Sequence, residues 1–195
     1  MIDPKNVFCL IPARAGSKRL PNKNFRTMID RPLFMWTVDA AIGADLKPVI
    51  SSDYSMKDTV QAAGGTYLFR PDKLCGDNVS TEDILNYYLE TEMVCKKRSW
   101  LMVLQPTSPT RTAFQINQFL SQCDPAQIAF YANIDQAEPN GSIYLVRRDF
   151  FSKHKTFTAN FNYRIIITTP PIIDINTQAD WDAAEAELKL RDRHG

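Results

Sequence analysis

The sequence predicts a three-layer α/β fold with a mostly parallel central sheet. Short apolar or β-branched runs alternate along the chain with segments whose apolar residues recur at helical spacing. This alternation is typical of a parallel sheet covered by helices on both faces. The polar motifs of the chain also come directly after the apparent strands, which is the edge where such sheets bind ligands.

Each predicted strand is a short apolar run bounded by polar or turn residues. These runs lie at residues 7–11, 48–52, 66–69, 100–104, 127–132, 142–146 and 163–168. The first predicted helix begins after Pro32, a residue favoured in a first turn, and the second covers 55–63. A capping box at 80–83 precedes a third helix, Ile116 lies in a fourth, and Thr177 with Asp180 predicts the cap of the last.

Length and composition favour one globular domain, residues 1–195. The chain is 44% hydrophobic and 23% charged, with a formal net charge of +1, so no overall field points to nucleic acid or to a membrane. The four cysteines are widely spaced and form no Cys-x-x-Cys or Cys/His cluster, so neither zinc nor a disulfide framework is expected. Because the sequence has no apolar span of membrane length and no export signal, we expect a cytoplasmic protein.

The most charged motif is a basic loop directly after the first predicted strand. It holds four cations within ten residues and no acid: Arg14, Lys18, Arg19 and Lys23. Such charges repel one another unless an anion lies among them. Small residues let a backbone turn tightly and bring its N–H groups to a ligand, and this loop contains Ala13, Ala15, Gly16 and Ser17. The loop predicts a polyphosphate site, although it lacks the Walker and dinucleotide glycine patterns. A solvated basic loop is the alternative interpretation.

A second motif, Gln-Pro-Thr-Ser-Pro-Thr-Arg at 105–111, follows the predicted strand at 100–104. Its two prolines stiffen the loop, Gln105 can form two hydrogen bonds, and Arg111 offers donors to an anion. Taken alone, the motif is more typical of a rigid turn in which Thr112 caps the next helix.

Together these motifs resemble those of the sugar cytidylyltransferases, with the acylneuraminate cytidylyltransferases (CMP-sialic acid synthetases) as the closest type. The resemblance rests on Ile-Pro-Ala-Arg-x-Gly-Ser-Lys at 11–18, followed by Lys23 and Asn24, and on Leu-Gln-Pro-Thr-Ser-Pro-x-Arg at 104–111. Further matches are Arg-Pro-x-x-Leu-x-x-Asp-x-x-Ser at 70–80 and Asn-Gly-x-x-Tyr at 140–144. Segment 173–180 is similar to the family's Asp-Ile-Asp-Thr-x-x-Asp. The resemblance covers nearly the whole chain in order and implies a Rossmann-like nucleotidyltransferase fold.

The resemblance also implies an activity: magnesium-dependent transfer of CMP from CTP to a sialic-acid-like 2-keto sugar acid, with release of pyrophosphate. Such a reaction depends mainly on charge neutralisation and alignment. The implied catalytic residues are Arg14, Lys18, Lys23 and Gln105, the last near the sugar. The implied nucleotide contacts are Ala13, Gly16, Ser17, Asn24, Arg70, Ser80 and Arg111. Asp174 and Asn176 stand where the family binds Mg²⁺, whereas Asp180 is expected to cap the last helix.

Three departures from the family pattern keep alternatives open. Asn176 replaces the second carboxylate, so either the metal affinity falls or another acid, such as Asp53 or Asp77, contributes to the metal site. The segment between Arg111 and Asn140 is shorter than in the family. That segment usually carries the dimerisation extension and cations for the sugar carboxylate, so a homodimer would be weakened. Glu138 would repel an acidic sugar. A nucleotidyltransferase with a smaller or less anionic acceptor, and a CTP-binding protein without turnover, are therefore alternative hypotheses.

Overall fold

The computed structural model describes residues 1–17, 20–91, 97–133, 141–157 and 163–192. Within these ranges the chain forms a seven-stranded sheet, a separate two-stranded hairpin and helices on both faces of the sheet. The strands are β1 (Val7–Pro12), β2 (Thr27–Met28), β3 (Arg31–Pro32), β4 (Pro48–Ser52), β5 (Thr66–Phe69), β6 (Trp100–Leu104), β7 (Ala129–Asn133), β8 (Ile143–Arg147) and β9 (Tyr163–Ile167).

The large sheet has the strand order β5-β4-β1-β6-β8-β7-β9. Strands β5, β4, β1 and β6 are parallel, as are β7 and β9, while β8 runs antiparallel to both of its neighbours. The antiparallel pairing sets Ile143, at the start of β8, opposite Leu104, at the end of β6. The mostly parallel sheet predicted from the sequence is confirmed.

The α-helices of the described residues are α1 (Leu33–Gly43), α2 (Lys57–Ala62), α3 (Thr81–Thr91), α4 (Ala113–Gln122), α5 (Arg148–His154) and α6 (Gln178–Asp192). Short 3-10 helices lie at Lys23–Phe25 and Asp72–Leu74. Thr112 and Gln115 form a capping box at the start of α4, which confirms the cap predicted there.

The hydrophobic core lies on both faces of the sheet, as a three-layer fold requires. Alternate residues of β1 point to opposite faces: Cys9 belongs to the cluster that contains Phe34 of α1, and Leu10 to the cluster that contains Leu85 of α3. A third, smaller cluster packs Trp181 of α6 beside the start of α1. Strand β1 is buried along its length except at its last residue, which is why its sequence is a continuous apolar run.

The strand bounds agree with the sequence-based ones to within two residues. The β2–β3 hairpin and helix α5 were not predicted, and strands of two residues are too short to show an alternating pattern. No helix in the described part of the chain is both long and apolar enough to cross a membrane.

Candidate active site

A cavity of about 240 Å³ opens at the carboxyl ends of β1 and β6. This is the edge at which the sequence placed the site. Six of the predicted site residues line it: Arg14, Ser17, Lys23, Asn24, Arg70 and Gln105. The remaining wall consists of Pro12, Val79, Thr81, Ile84, Pro106 and Thr107. None of these six was predicted as a site residue. Thr81 and Ile84 carry no signal for one, since their positions in the sequence are those of a first helical turn.

The Arg14 guanidinium is positioned at this cavity by contacts with the loop that follows β5. Its Nη1 lies 3.0 Å from the Asp77 carboxylate and donates to the main-chain oxygen of Cys75 at 3.4 Å. About a third of the Arg14 side chain is exposed. Exposed ion pairs contribute little stability, so Arg14 can exchange Asp77 for a phosphate at small cost.

Lys23 and Asn24 enter the cavity from a 3-10 helix. The Lys23 ammonium donates to the main-chain oxygen of Ile175 at 2.5 Å, and the Lys23 amide donates to Ser17 Oγ at 3.1 Å. Asn24 is buried and its Nδ2 donates to the Arg14 main-chain oxygen at 2.9 Å. Its Oδ1 is also buried, with no hydrogen-bond partner among the described residues. Buried polar atoms are normally paired, so this oxygen is suited to accept a hydrogen bond from a ligand.

The small-residue loop after β1 differs from the amide cradle that was predicted. The Ala13 amide donates to the Ser51 main-chain oxygen at 2.9 Å, the Ala15 amide to Asp53 Oδ1 at 2.8 Å and the Ser17 amide to the Ala15 oxygen at 2.9 Å. These three N–H groups are bonded within the protein, and Ala13 is fully buried. Space is open beside Gly16, where an added Cβ would meet nothing within 4 Å. The amides of Ala13, Ala15 and Ser17 therefore do not form the predicted cradle.

Arg70 forms the deep end of the cavity. It is 2% exposed, and its Nε and Nη2 donate to Ser51 Oγ at 3.0 Å and the Ser51 main-chain oxygen at 2.8 Å. Ser51 Oγ also shares a hydrogen bond of 2.8 Å with the Tyr88 hydroxyl. Burial lowers the pKa of Arg70, and the nearby Tyr88 and Asp53 act in the opposite direction. The guanidinium is thus fixed in orientation, as recognition of a flat polar group requires.

Gln105 and Thr107 form the opposite wall. Gln105 Nε2 donates to Thr81 Oγ1 at 3.4 Å, and Thr107 Oγ1 donates to Asp174 Oδ1 at 2.5 Å. The second bond brings the half-buried Asp174 to the edge of the cavity. The motifs at 105–111 and 173–180, which are far apart in the sequence, are therefore in contact at this wall.

The Asp174 carboxylate fits a magnesium ion that arrives with a nucleotide. Its Oδ2 accepts from Asn176 Nδ2 at 2.8 Å, and a half-turn of that amide would present an oxygen instead. Mg²⁺ commonly binds one or two carboxylates together with substrate phosphates. Asp53 and Asp77, the acids expected to compensate for Asn176, bond instead to Ala15 and Arg14. The described ranges contain no group of three His, Cys, Asp or Glu side chains that could hold a metal.

A sequence profile described as "Cytidylyltransferase" matches residues 8–124, more than half of the chain. The chain belongs to the cytidylyltransferase family. It is 25% identical over 216 aligned positions to the N-acylneuraminate cytidylyltransferase of Escherichia coli O18:K1:H7, which covers 91% of this chain and 51% of that protein. The chain therefore spans about half the length of that relative.

Two further comparisons cover whole proteins. The chain is 25% identical over 227 positions to the CMP-N,N'-diacetyllegionaminic acid synthase of Legionella pneumophila, covering 94% of this chain and 97% of that protein. A solved structure of CMP:2-keto-3-deoxy-manno-octonic acid synthetase complexed with CTP superposes with a TM-score of 0.70 at 18% identity, covering 95% and 99% of the two chains. The structural likeness confirms the Rossmann-like nucleotidyltransferase fold.

Arg111, predicted as an anion contact, is buried and bonded within the protein. It is 2% exposed, and its guanidinium donates to the main-chain oxygens of Ser142 and Gln105 and to Thr37 Oγ1, at 2.5, 3.1 and 2.9 Å. Burial lowers its pKa to about 10. Arg111 borders a different cavity, of about 400 Å³, between α1, α4 and α6. Its cation ties the 105–111 loop to Ser142, directly before β8, and to Thr37 of α1.

Two other predicted residues serve as helix caps, and several predictions lie outside the described residues. Ser80 Oγ accepts from the Asp83 amide at 3.1 Å and donates to its carboxylate at 2.8 Å, which caps α3. Asp180 accepts from the Thr177 amide at 2.7 Å and so caps α6, as predicted. Lys18, Glu138 and Asn140 are outside the described residues.

Proposed function

We propose that this chain transfers CMP from CTP to an acidic 2-keto sugar related to sialic acid, releases pyrophosphate, and depends on Mg²⁺. The observation that supports it best is the convergence of Arg14, Lys23, Arg70 and Gln105 on one cavity with Asp174 at its edge. Both relatives and the superposed synthetase carry names of sugar acids, which supports an acidic acceptor.

The cations at one end of the cavity suit a triphosphate. Arg14 and Lys23 donate to Cys75, Asp77 and Ile175 oxygens through groups that equally bind phosphate oxygens. On binding CTP they would exchange these partners for the β- and γ-phosphates. Charge would then be neutralised where it accumulates, on the departing pyrophosphate.

The buried polar groups of the cavity suit the base and ribose. Arg70 is rigid and nearly inaccessible, and Asn24 offers an unpaired buried oxygen. Cytosine carries both acceptor and amino-donor groups on one edge. Arg70 as a donor and Asn24 Oδ1 as an acceptor can together recognise such an edge.

Asp174, with the carbonyl oxygen of Asn176, would hold the magnesium ion in our proposal. When bound, the ion would polarise phosphate oxygens and neutralise their charge. In the reaction the acceptor's hydroxyl oxygen forms a bond to the α-phosphorus, and the bond from the α-phosphorus to the bridging oxygen breaks. Pyrophosphate leaves with that electron pair, and the hydroxyl proton passes to water. Gln105 would orient the acceptor beside the α-phosphorus.

Pyrophosphate release from CTP and Mg²⁺, measured with sialic acid, other nonulosonic acids, octulosonic acid and neutral sugars, tests the proposal. We expect release with an acidic sugar, and loss of release in Lys23→Met. Lys189→Met on α6 is the matched control, because that lysine pairs with Glu185 at the surface. Pyrophosphate release with neutral sugars alone would contradict the proposed acidic acceptor and favour a less anionic one. CTP binding without release for any acceptor would favour the non-catalytic alternative that Asn176 motivates.

A further inference from the structure

The end of β4 connects the two halves of the cavity. Ser51 is the penultimate residue of this strand, and Asp53 follows the strand directly. Neither residue lines the cavity, yet each bonds to a segment that does. Ser51 is fully buried and Asp53 is half-buried.

Asp53 holds the loop that carries the phosphate-side residues. Its Oδ1 accepts the Ala15 amide at 2.8 Å. Ala15 lies directly after Arg14 and two residues before Ser17, and both of those line the cavity. A charged acceptor forms a stronger hydrogen bond than a neutral one, so this contact fixes the path of the backbone between them.

Ser51 holds the base-side residue with both its side chain and its main chain. The Ser51 hydroxyl and main-chain oxygen accept from Arg70, and the same main-chain oxygen accepts the Ala13 amide at 2.9 Å. Tyr88 of α3 shares the Ser51 hydroxyl. The orientation of Arg70 and the start of the loop therefore depend on one residue.

We propose that Asp53 is a positioning residue for the triphosphate, acting through the Ala15 amide, and that Ser51 is a positioning residue for the base, acting through Arg70. The inference rests on the proposed function for the identity of the ligand. It assigns Asp53 the role of a hydrogen-bond acceptor rather than that of a metal ligand. Asn should therefore serve in its place, whereas a displaced carboxylate should not.

The test compares the binding of CTP and of CMP by calorimetry in the presence of a chelator, so that metal ligation has no influence. Asp53→Ala should weaken CTP binding by about tenfold, the effect of one hydrogen bond to a charged group, and leave CMP binding nearly unchanged. Asp53→Asn retains an acceptor without the charge and should bind CTP more tightly than Asp53→Ala. Asp53→Glu retains the charge, moves the acceptor and should bind CTP more weakly. Asp58→Ala, on the exposed first turn of α2, is the matched control.

Ser51→Ala should weaken CMP and CTP by the same factor, because the base is common to both. Equal losses of CMP and CTP in Asp53→Ala, or Asp53→Asn binding worse than Asp53→Glu, would overturn the assignment of Asp53. If Asp53→Ala does not fold, the order of the Asn and Glu variants decides.

Hydrogen exchange of the Ala15 amide provides a readout that needs no nucleotide. It should be faster in Asp53→Glu than in wild type and unchanged in Asp58→Ala. Equal exchange in the Glu variant and wild type would refute the positioning role. Absence of CTP binding to the wild-type protein would instead refute the proposed function, so the two failures are distinguishable.

Discussion

The Thr107 hydroxyl donates a hydrogen bond of 2.5 Å to the Asp174 carboxylate across 67 positions of sequence. This contact brings the proposed metal ligand to the loop that carries Gln105. It also leaves Asp174 with a neutral amide, Asn176, as its partner on the other oxygen. The first prediction follows from that pairing.

Asn176→Asp should lower the Mg²⁺ concentration needed for half-maximal pyrophosphate release, because a second carboxylate adds charge to the metal site. Asp174→Ala should reduce release by about tenfold or more. Asp182→Ala, which removes an exposed carboxylate of α6 bonded to Gln178, is the control. If the Asn176 and Asp174 variants both titrate with Mg²⁺ like wild type, the metal lies elsewhere.

Arg14→Ala should weaken CTP binding by about 1–3 kcal/mol if its guanidinium meets phosphate, with a much smaller effect on CMP. Calorimetric titration of both nucleotides measures this difference. Arg147→Ala removes a comparable surface ion pair, with Asp149, at the opposite end of the sheet and should change neither affinity. Equal losses for CTP and CMP would show that Arg14 does not act on the β- or γ-phosphate.

Arg111→Met should destabilise the protein by about 3 kcal/mol, because the buried oxygens of Ser142, Gln105 and Thr37 lose their donor. Urea unfolding at neutral pH measures the effect. A variant of undiminished stability that loses CTP affinity would restore the anion-binding role that the sequence suggested.

Ser80→Ala should lower stability by about 1 kcal/mol through loss of the α3 cap, and leave CTP affinity unchanged. Thr112→Ala removes the corresponding cap of α4 and provides the comparison in the same thermal unfolding assay. A drop in CTP affinity in the Ser80 variant but not in the Thr112 variant would support the predicted contact of Ser80 with the nucleotide.

Burial raises the pKa of the Cys9 thiol from 9.0 to about 12. The unfolded chain therefore loses this proton first as the pH rises, and the folded state loses stability above the unfolded pKa. Relative to Cys9→Ala, wild type should lose about 1.4 kcal/mol of unfolding free energy between pH 8 and pH 10. Urea unfolding at the two pH values measures the difference. A difference between the two proteins that is independent of pH would show that Cys9 ionises normally in the fold.

The sequence predicted those parts of the fold whose physical cause is local. Strand β1 is a continuous apolar run because it is buried on both faces, and the Thr112 and Thr177 caps carry their own residue signatures. The direction of β8 leaves no local trace, because the strand has no solvent-exposed face and so lacks the polar–apolar alternation common in antiparallel strands. The direction of β8 is visible only in its pairing with β6 and β7.

The sequence predicted those residues of the candidate site that are charged or polar and directly follow a strand. Arg14, Lys23 and Gln105 follow strands in the sequence and do line the cavity. Arg111 also follows a strand, but sequence shows that a residue is charged and not that it is buried, so its internal bonds could not be foreseen. Ser51 went unnoticed because it lies within a strand and carries no charge.

The reversed direction of β8 means that the edge bearing the cavity receives the entrance of one strand and the exits of the parallel ones. In our proposal the site residues Arg14, Arg70 and Gln105 follow the exits of β1, β5 and β6, whereas Ile143 is the first residue of a strand that enters at this edge. A segment grafted directly before Ile143 would interrupt none of these three parallel strands, which makes that point a rational place to engineer the proposed acceptor range.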